Sequence, residues 1–290
     1  MNKKVLFLII ILFAAISLST IMSKSDTTLI YEKNNKIYNP CFIDKTLDFF
    51  ISERLFVKVS STLFKYSGET FKNSDNWIIR TCYNNKNNLN NFNVPYSNTS
   101  WKLMSGVWGQ LHGYSTVYIH YPKNKTNKLV VFCHGYAGNL KMYQGIINNL
   151  DNCVILSLGT SDITGIYTKE DIQKIFNIYI PFLKDYPIKE VHIVGLSNGG
   201  TAIDAAIKYF PNSFKSYTVI SSNLTNINKV DGSINFIGGR QDKSSNKIKT
   251  QHKKVLSRGI KSKLYNPEGD HFLLVMDTKN VIDNLNDIIK

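Results

Sequence analysis

From about residue 114 onward, short continuous apolar runs alternate with stretches whose apolar residues recur every three or four positions. "STVYIHYP" (115–122) alternates and is rich in β-branched residues, which predicts a strand, and "KNKTNK" behind it reads as a polar turn. "LVVFCHG" (129–135) and "CVILSLGT" (153–160) are apolar almost throughout, as strands buried on both faces are. Between them "GNLKMYQGIINNL" has helical spacing, and after them "KEDIQKIFNIYIPFLKDY" does too, with acids in its first turn. The alternation continues through "VHIVGLS" (strand), "NGGTAIDAAIKYF" (helix), and the strands "SYTVISS" and "INFIGGRQD". A basic helix, the stretch "SKLYNPEGDHF" and a closing helix, "NVIDNLNDIIK", follow. Strands alternating with helices predict an α/β fold with a mostly parallel sheet covered on both faces. In such sheets the working residues gather at the carboxyl ends of the strands.

Residues 25–113 break this rhythm. They are rich in Asn and aromatics, with "FIDKTLDFFISERLFVKVSSTLFKY" (42–66) as the one segment that reads as a helix. At the start, "MNKK" precedes seventeen residues without a charge, "VLFLIIILFAAISLSTI", and a polar exit, "MSKSD". That pattern reads as a signal peptide or a short signal anchor, at the lower limit of the roughly 17–25 residues a span needs. The expected organisation is therefore 1–24 as signal peptide or anchor, 25–113 as an N-terminal region that either forms a subdomain or partly wraps the sheet, and 114–290 as the α/β domain. The protein is expected to be exported or membrane-associated. The lysines before the run and Asp26 after it favour an N-terminus left in the cytoplasm.

Composition changes this picture in three respects. A 43% hydrophobic content over 290 residues suits a globular chain with a sizeable core. The net charge of +14 is concentrated in residues 240–263, which hold nine Lys or Arg and one acid, Asp242. A solvated helix face accounts for that segment, with attraction to an anionic membrane surface as the other reading; no nucleic-acid motif accompanies it. Of four cysteines, Cys133 and Cys153 lie in apolar runs as free, buried thiols, while Cys41 and Cys82, in polar surroundings, are expected to form a disulfide. No Cys/His spacing suggests a metal, and no cofactor motif is present. Asn98, Asn124 and Asn223 open acceptor sequons, meaningful only in a glycosylating host.

The chemistry concentrates in "VHIVGLSNGG" (191–200), where Ser197 stands between Gly195 and Gly199 directly after a buried strand. A nucleophile at a strand-to-helix turn takes a strained backbone conformation that pushes its Oγ clear of the sheet. Residues two positions to either side are then crowded, and glycine relieves the crowding. The helix that begins near Asn198 adds N–H groups and a positive dipole end that favour an oxyanion.

With this context the sequence resembles the α/β-hydrolase family over about residues 114–290, in "VGLSNGG", "CHGYAGN", "GGRQD" and "GDHF". The resemblance implies an α/β-hydrolase fold with Ser197 as nucleophile, an acid after the strand "INFIGG", here Asp242, and a histidine after the last strand, here His271. The chain order Ser, Asp, His is the one this family uses. "HGYAG" (134–138) resembles the family's oxyanion loop, with the backbone N–H groups of Tyr136 and Asn198 as donors. The physical roles agree: a serine hydroxyl needs a base to take its proton, and an acid fixes that base's tautomer. Asp270, beside His271, is the rival acid. His134 reads as a loop-shaping residue, His192 as a core histidine, and His112, His120 and His252 belong to no constellation.

About a dozen residues separate "SYTVISS" from "INFIGG", so no large cap is inserted there, and any cover must come from 25–113, which holds Trp77, Trp101 and Trp108. The expected function is a serine hydrolase acting on a small-molecule or lipid-like acyl substrate, an ester or thioester, through an acyl-enzyme. A peptidase or an acyltransferase would carry the same three residues, and a non-catalytic binding protein of the same fold is the alternative of a different class.

Overall fold

The computed structural model describes residues 27–40, 112–135, 143, 146–160 and 165–290. The helix expected at 42–66, the cysteines at 41 and 82, the three tryptophans, Tyr136 and the N-terminal apolar run lie outside the described residues. Among the described residues no helix is long and apolar enough to cross a membrane.

Among the described residues, nine strands form one sheet in the order β2-β1-β3-β5-β4-β6-β7-β8-β9. They are β1 (Thr27–Lys33), β2 (Lys36–Tyr38), β3 (Ser115–His120), β4 (Lys128–Cys133), β5 (Val154–Leu158), β6 (Glu190–Leu196), β7 (Ser216–Ile220), β8 (Ser233–Ile237) and β9 (Leu264–Tyr265). From β5 to β9 every pairing is parallel, while β3, β1 and β2 complete one edge with antiparallel pairings. The helices are α1 (Lys169–Lys174), α2 (Ile180–Phe182), α3 (Gly200–Tyr209), α4 (Ser245–Ser257), α5 (Leu273–Met276) and α6 (Thr278–Ile289).

Side-chain alternation explains why the central strands read as unbroken apolar runs. In β4, Leu129, Val131 and Cys133 face one layer and Val130 and Phe132 the other, all at most 1% exposed. On the first face they join Ile172, Tyr179, Ile203, Ile207 and Ile248, from the α1 side, α3 and α4. On the second they join Ile146, Ile147, Val281, Leu285 and Ile289, so α6 covers that side. Both Cys133 and Cys153 are buried free thiols.

Two departures from the sequence pattern have local causes. The helix expected over 169–186 is interrupted: α1 gives way to a π-helical stretch, Ile175–Tyr179, before α2. Pro181 lies in that last turn and has no N–H for an i−4 bond, and the ladder widens just ahead of it, with Ile180 N–H donating to Ile175 O. The strands β1 and β2 emerge from a region that reads as irregular, because "TTLIYEK" ends in charges and the hairpin turns on Asn34 and Asn35, both with positive φ. β1 pairs with β3 from Thr27↔His120 to Glu32↔Ser115, so these residues are part of the sheet itself.

Topology positions the site. β4 lies between β5 and β6, so successive connections leave it in opposite directions. At such a switch point the carboxyl ends of neighbouring strands leave a crevice for chemistry. No helix interrupts the connection between β7 and β8, residues 221–232.

Candidate active site

β6 runs straight into a 3-10 turn, Ser197–Gly199, and then into α3. Ser197 sits at φ 52°, a left-handed conformation that costs a serine roughly 1–3 kcal/mol and holds its side chain at the apex of the turn. The flanking glycines are required by contact. A Cβ on Gly195 would lie 2.3 Å from the carbonyl oxygen of Gly199, and one on Gly199 would lie 2.1 Å from that of Cys133. Neither collision can be relieved by a side-chain rotation, because both partners are backbone. Asn198 forms the middle of the turn, with Thr201 Oγ1 donating to its carbonyl at 2.8 Å.

The other two residues reach Ser197 through backbone that extends the β8–β9 ladder. Gly238 N–H donates to Tyr265 O (3.0 Å), Arg240 N–H to Pro267 O (2.9 Å) and Gln241 N–H to Gly269 O (2.9 Å). Arg240 adds a charged contact to Glu268 at 2.6 Å. The turn that carries Asp242 and the turn that carries His271 are therefore clamped together beyond the ends of their strands. His271 Nδ1 lies 3.2 Å from Asp242 Oδ2, and His271 Nε2 lies 2.9 Å from Ser197 Oγ. With the carboxylate ionised, Nδ1–H donates to Asp242, and Nε2 is left to accept the Ser197 hydroxyl.

Burial alone would raise the pKa of Asp242. Hydrogen bonds from His271 and from the N–H of Ser244 outweigh that effect and hold it at about 2. The Ser244 N–H contact is 2.8 Å. Asp242 is thus a buried, fully ionised acceptor, whereas the His271 side chain is 44% exposed and open to a substrate. The rival acid, Asp270, turns away: its Oδ1 accepts from Phe272 N–H at 2.8 Å.

The histidines outside this group take structural places. His134, 2% exposed, donates from Nδ1 to Gly135 O at 2.7 Å, and its N–H donates to Tyr167 OH, which in turn donates to Leu158 O. The start of the loop after β4 is therefore pinned beside β5. His192, 3% exposed, has Nδ1 2.8 Å from Ser216 Oγ. Burial lowers both imidazoles to about 4, so they are neutral near pH 7. His252 pairs with Ser262 Oγ at 2.8 Å on α4, away from the apex.

Sequence reasoning missed one part of the site. A cavity of about 360 Å³ opens beside Ser197 and His271, and its far wall is built from Ser221, Ser222 and Asn223 after β7 and from the turn into α4. Ser221 shares the left-handed conformation of Ser197, with φ 50°. Its position at the carboxyl end of a parallel strand was the available signal.

Comparison with known proteins places this geometry. Residues 128–237 match the family model described as alpha/beta hydrolase fold. Among solved structures, the Francisella virulence factor BioJ is similar with a TM-score of 0.51 and 13% identity, over 60% of this chain and 80% of that one. An esterase from Pyrobaculum calidifontis is similar with a TM-score of 0.52 and 12% identity, over 62% of this chain and 81% of its own. At such identities the likeness concerns the fold. No curated protein matches the chain. The fold is that of the α/β-hydrolases, a mostly parallel open sheet flanked by helices.

Proposed function

Proceeding from a chain of the α/β-hydrolase fold, we propose that this protein is a serine hydrolase that cleaves a carboxylic ester or thioester through an acyl-enzyme. The observation that carries the reading is the unbroken run of contacts from Ser197 Oγ through His271 to Asp242, at 2.9 and 3.2 Å. Each of the three stands beyond the carboxyl end of a parallel strand, where this fold collects its chemistry.

In the first half-reaction Ser197 Oγ attacks the carbonyl carbon while its proton passes to His271 Nε2. The imidazolium that forms is stabilised by Asp242, whose low pKa keeps it an acceptor throughout. The oxyanion is assigned to the N–H of Asn198, the residue after Ser197, together with that of Tyr136, three residues after Cys133 in the sequence. Collapse breaks the bond to the leaving oxygen or sulfur, which takes the proton from Nε2. Water then repeats the sequence on the acyl-serine, giving its proton to His271 and releasing the acid. Ser197 is restored.

An acyl-enzyme is a mass, and it can be weighed. Rapid acid quench of the protein with a 4-nitrophenyl ester is expected to leave one added acyl group on the peptide that contains Ser197. Turnover of the ester with no acyl adduct there, or with the adduct on another residue, contradicts the mechanism.

A further inference from the structure

The cavity beside Ser197 is lined, among the described residues, by polar side chains alone. Ser221, Ser222 and Asn223 form one wall and Lys243, Ser244 and Lys247 the other. Pockets that take a plain acyl chain or an aromatic alcohol are lined mostly by apolar side chains, and among the described residues this wall has none. Charge gives the preference a sign. The one carboxylate on the wall is Asp242, already engaged by His271 and Ser244, while both lysines are exposed side chains that can turn toward a ligand.

Ser221 supplies an independent observation. It is 2% exposed, its Oγ has no hydrogen-bond partner among the described residues, and its strained backbone is tied by its N–H to Ile237 O at 2.9 Å. A buried hydroxyl without a partner is costly, and backbone strain of this kind gathers at ligand sites. Asn223 Oδ1, on the same wall, is a second buried atom without a partner. Both are suited to a polar ligand group, with the Ser221 hydroxyl as donor to an anionic oxygen and Asn223 Oδ1 as acceptor for a neighbouring hydroxyl or N–H.

We propose that this cavity binds a negatively charged group of the substrate, a carboxylate or a phosphate, attached near the ester that Ser197 attacks. Lys243 and Lys247 supply the charge, and Ser221 and Ser222 supply directed hydroxyl donors. The remaining lysines of α4 (Lys249, Lys253 and Lys254) extend the positive field outward and draw anions toward the mouth. This inference rests on the hydrolase reading and specifies its substrate class.

Four esters test it on the full-length protein, with hydrolysis by Ser197→Ala subtracted as background. They are 4-methylumbelliferyl butyrate, the 4-methylumbelliferyl monoester of glutaric acid, phenyl butyrate and 3-phosphophenyl butyrate, so that the anion sits on the acyl side in one pair and the alcohol side in the other. In at least one pair the anionic ester is expected to exceed its neutral partner in kcat/KM by about tenfold or more, as charge-assisted bonds from two lysines allow. The pair that shows the preference tells which side of the ester occupies the cavity. The double variant Lys243→Gln/Lys247→Gln is expected to bring that ratio close to one. Half-molar salt should reduce it in the wild type. Equal rates within both pairs, or a preference that survives the double variant, overturns the proposal while leaving the hydrolase reading intact. If the wild type cleaves none of the four, the hydrolase reading fails and the proposal falls with it.

Discussion

Ser197, Asp242 and His271 differ in how their positions are enforced, and so in what replacing them should do. Ser197 is held by a backbone that only the glycines on either side permit. Asp242 is held by its own hydrogen bonds: the carboxylate accepts from Ser244 N–H and from the imidazole, and it is 7% exposed. Asp242→Asn removes the acceptor that selects the Nδ1–H tautomer, and a drop in kcat/KM of roughly 10³–10⁴ is expected. Asp270→Asn touches a carboxyl that bonds only backbone, at Phe272, and should cost less than about tenfold. Parallel steady-state assays of the two variants decide the matter, and the opposite ranking would make Asp270 the acid.

At the scale of elements, the strand pair β1 and β2 is bound to the body of the fold by a buried ion pair. Glu32 on β1 has a fully buried carboxylate that meets Lys174 Nζ at 2.6 Å and accepts from Asn35 N–H at 2.8 Å. Removing the lysine leaves a charge buried without its counter-charge, so Lys174→Met should lower stability by about 3 kcal/mol. Adding Glu32→Gln should recover much of that loss. Urea unfolding of the single and double variants measures both, and a neutral Lys174→Met would show that the pair does not anchor the edge. This edge was the least legible part of the described fold. β4, β5 and β6 could be read directly, because strands buried on both faces carry apolar residues at most positions rather than at every second one. β1 mixes a buried glutamate with threonines, and β9 is two residues long, too short for any period to show. The candidate site divides the same way. Ser197 and its glycines are contiguous, and a strained turn leaves its mark in the sequence. The cavity wall joins residues 221–223 to 243–247, and only the parallel pairing of β7 with β8 brings them together.

At the scale of the whole molecule, two buried histidines should set the acid limit of stability. His134 and His192 are held at about 4 by burial, against an ordinary value near 6.5, so the unfolded chain binds their protons first as pH falls. Their contribution is complete above about pH 6.5 and is lost between there and about pH 4, on the order of 3 kcal/mol for each. Asp242 works in the same sense and in a lower window, since its depressed pKa stabilises the fold until pH falls toward about 2. Urea midpoints should therefore drop between about pH 7 and about pH 4.5, and less steeply for His192→Gln than for the wild type. Midpoints that stay level would mean that these imidazoles are protonated in the fold. The assembled sheet, the clamped β8–β9 turns and the strained serine converge on one claim, that Ser197 is a nucleophile activated by His271. Covalent labelling with a fluorophosphonate probe tests it most directly. The account expects one label on the wild type, at Ser197, none on Ser197→Ala, and labelling slowed by orders of magnitude in His271→Ala. A folded wild type that takes no label, or a Ser197→Ala variant that takes it as fast, would contradict it.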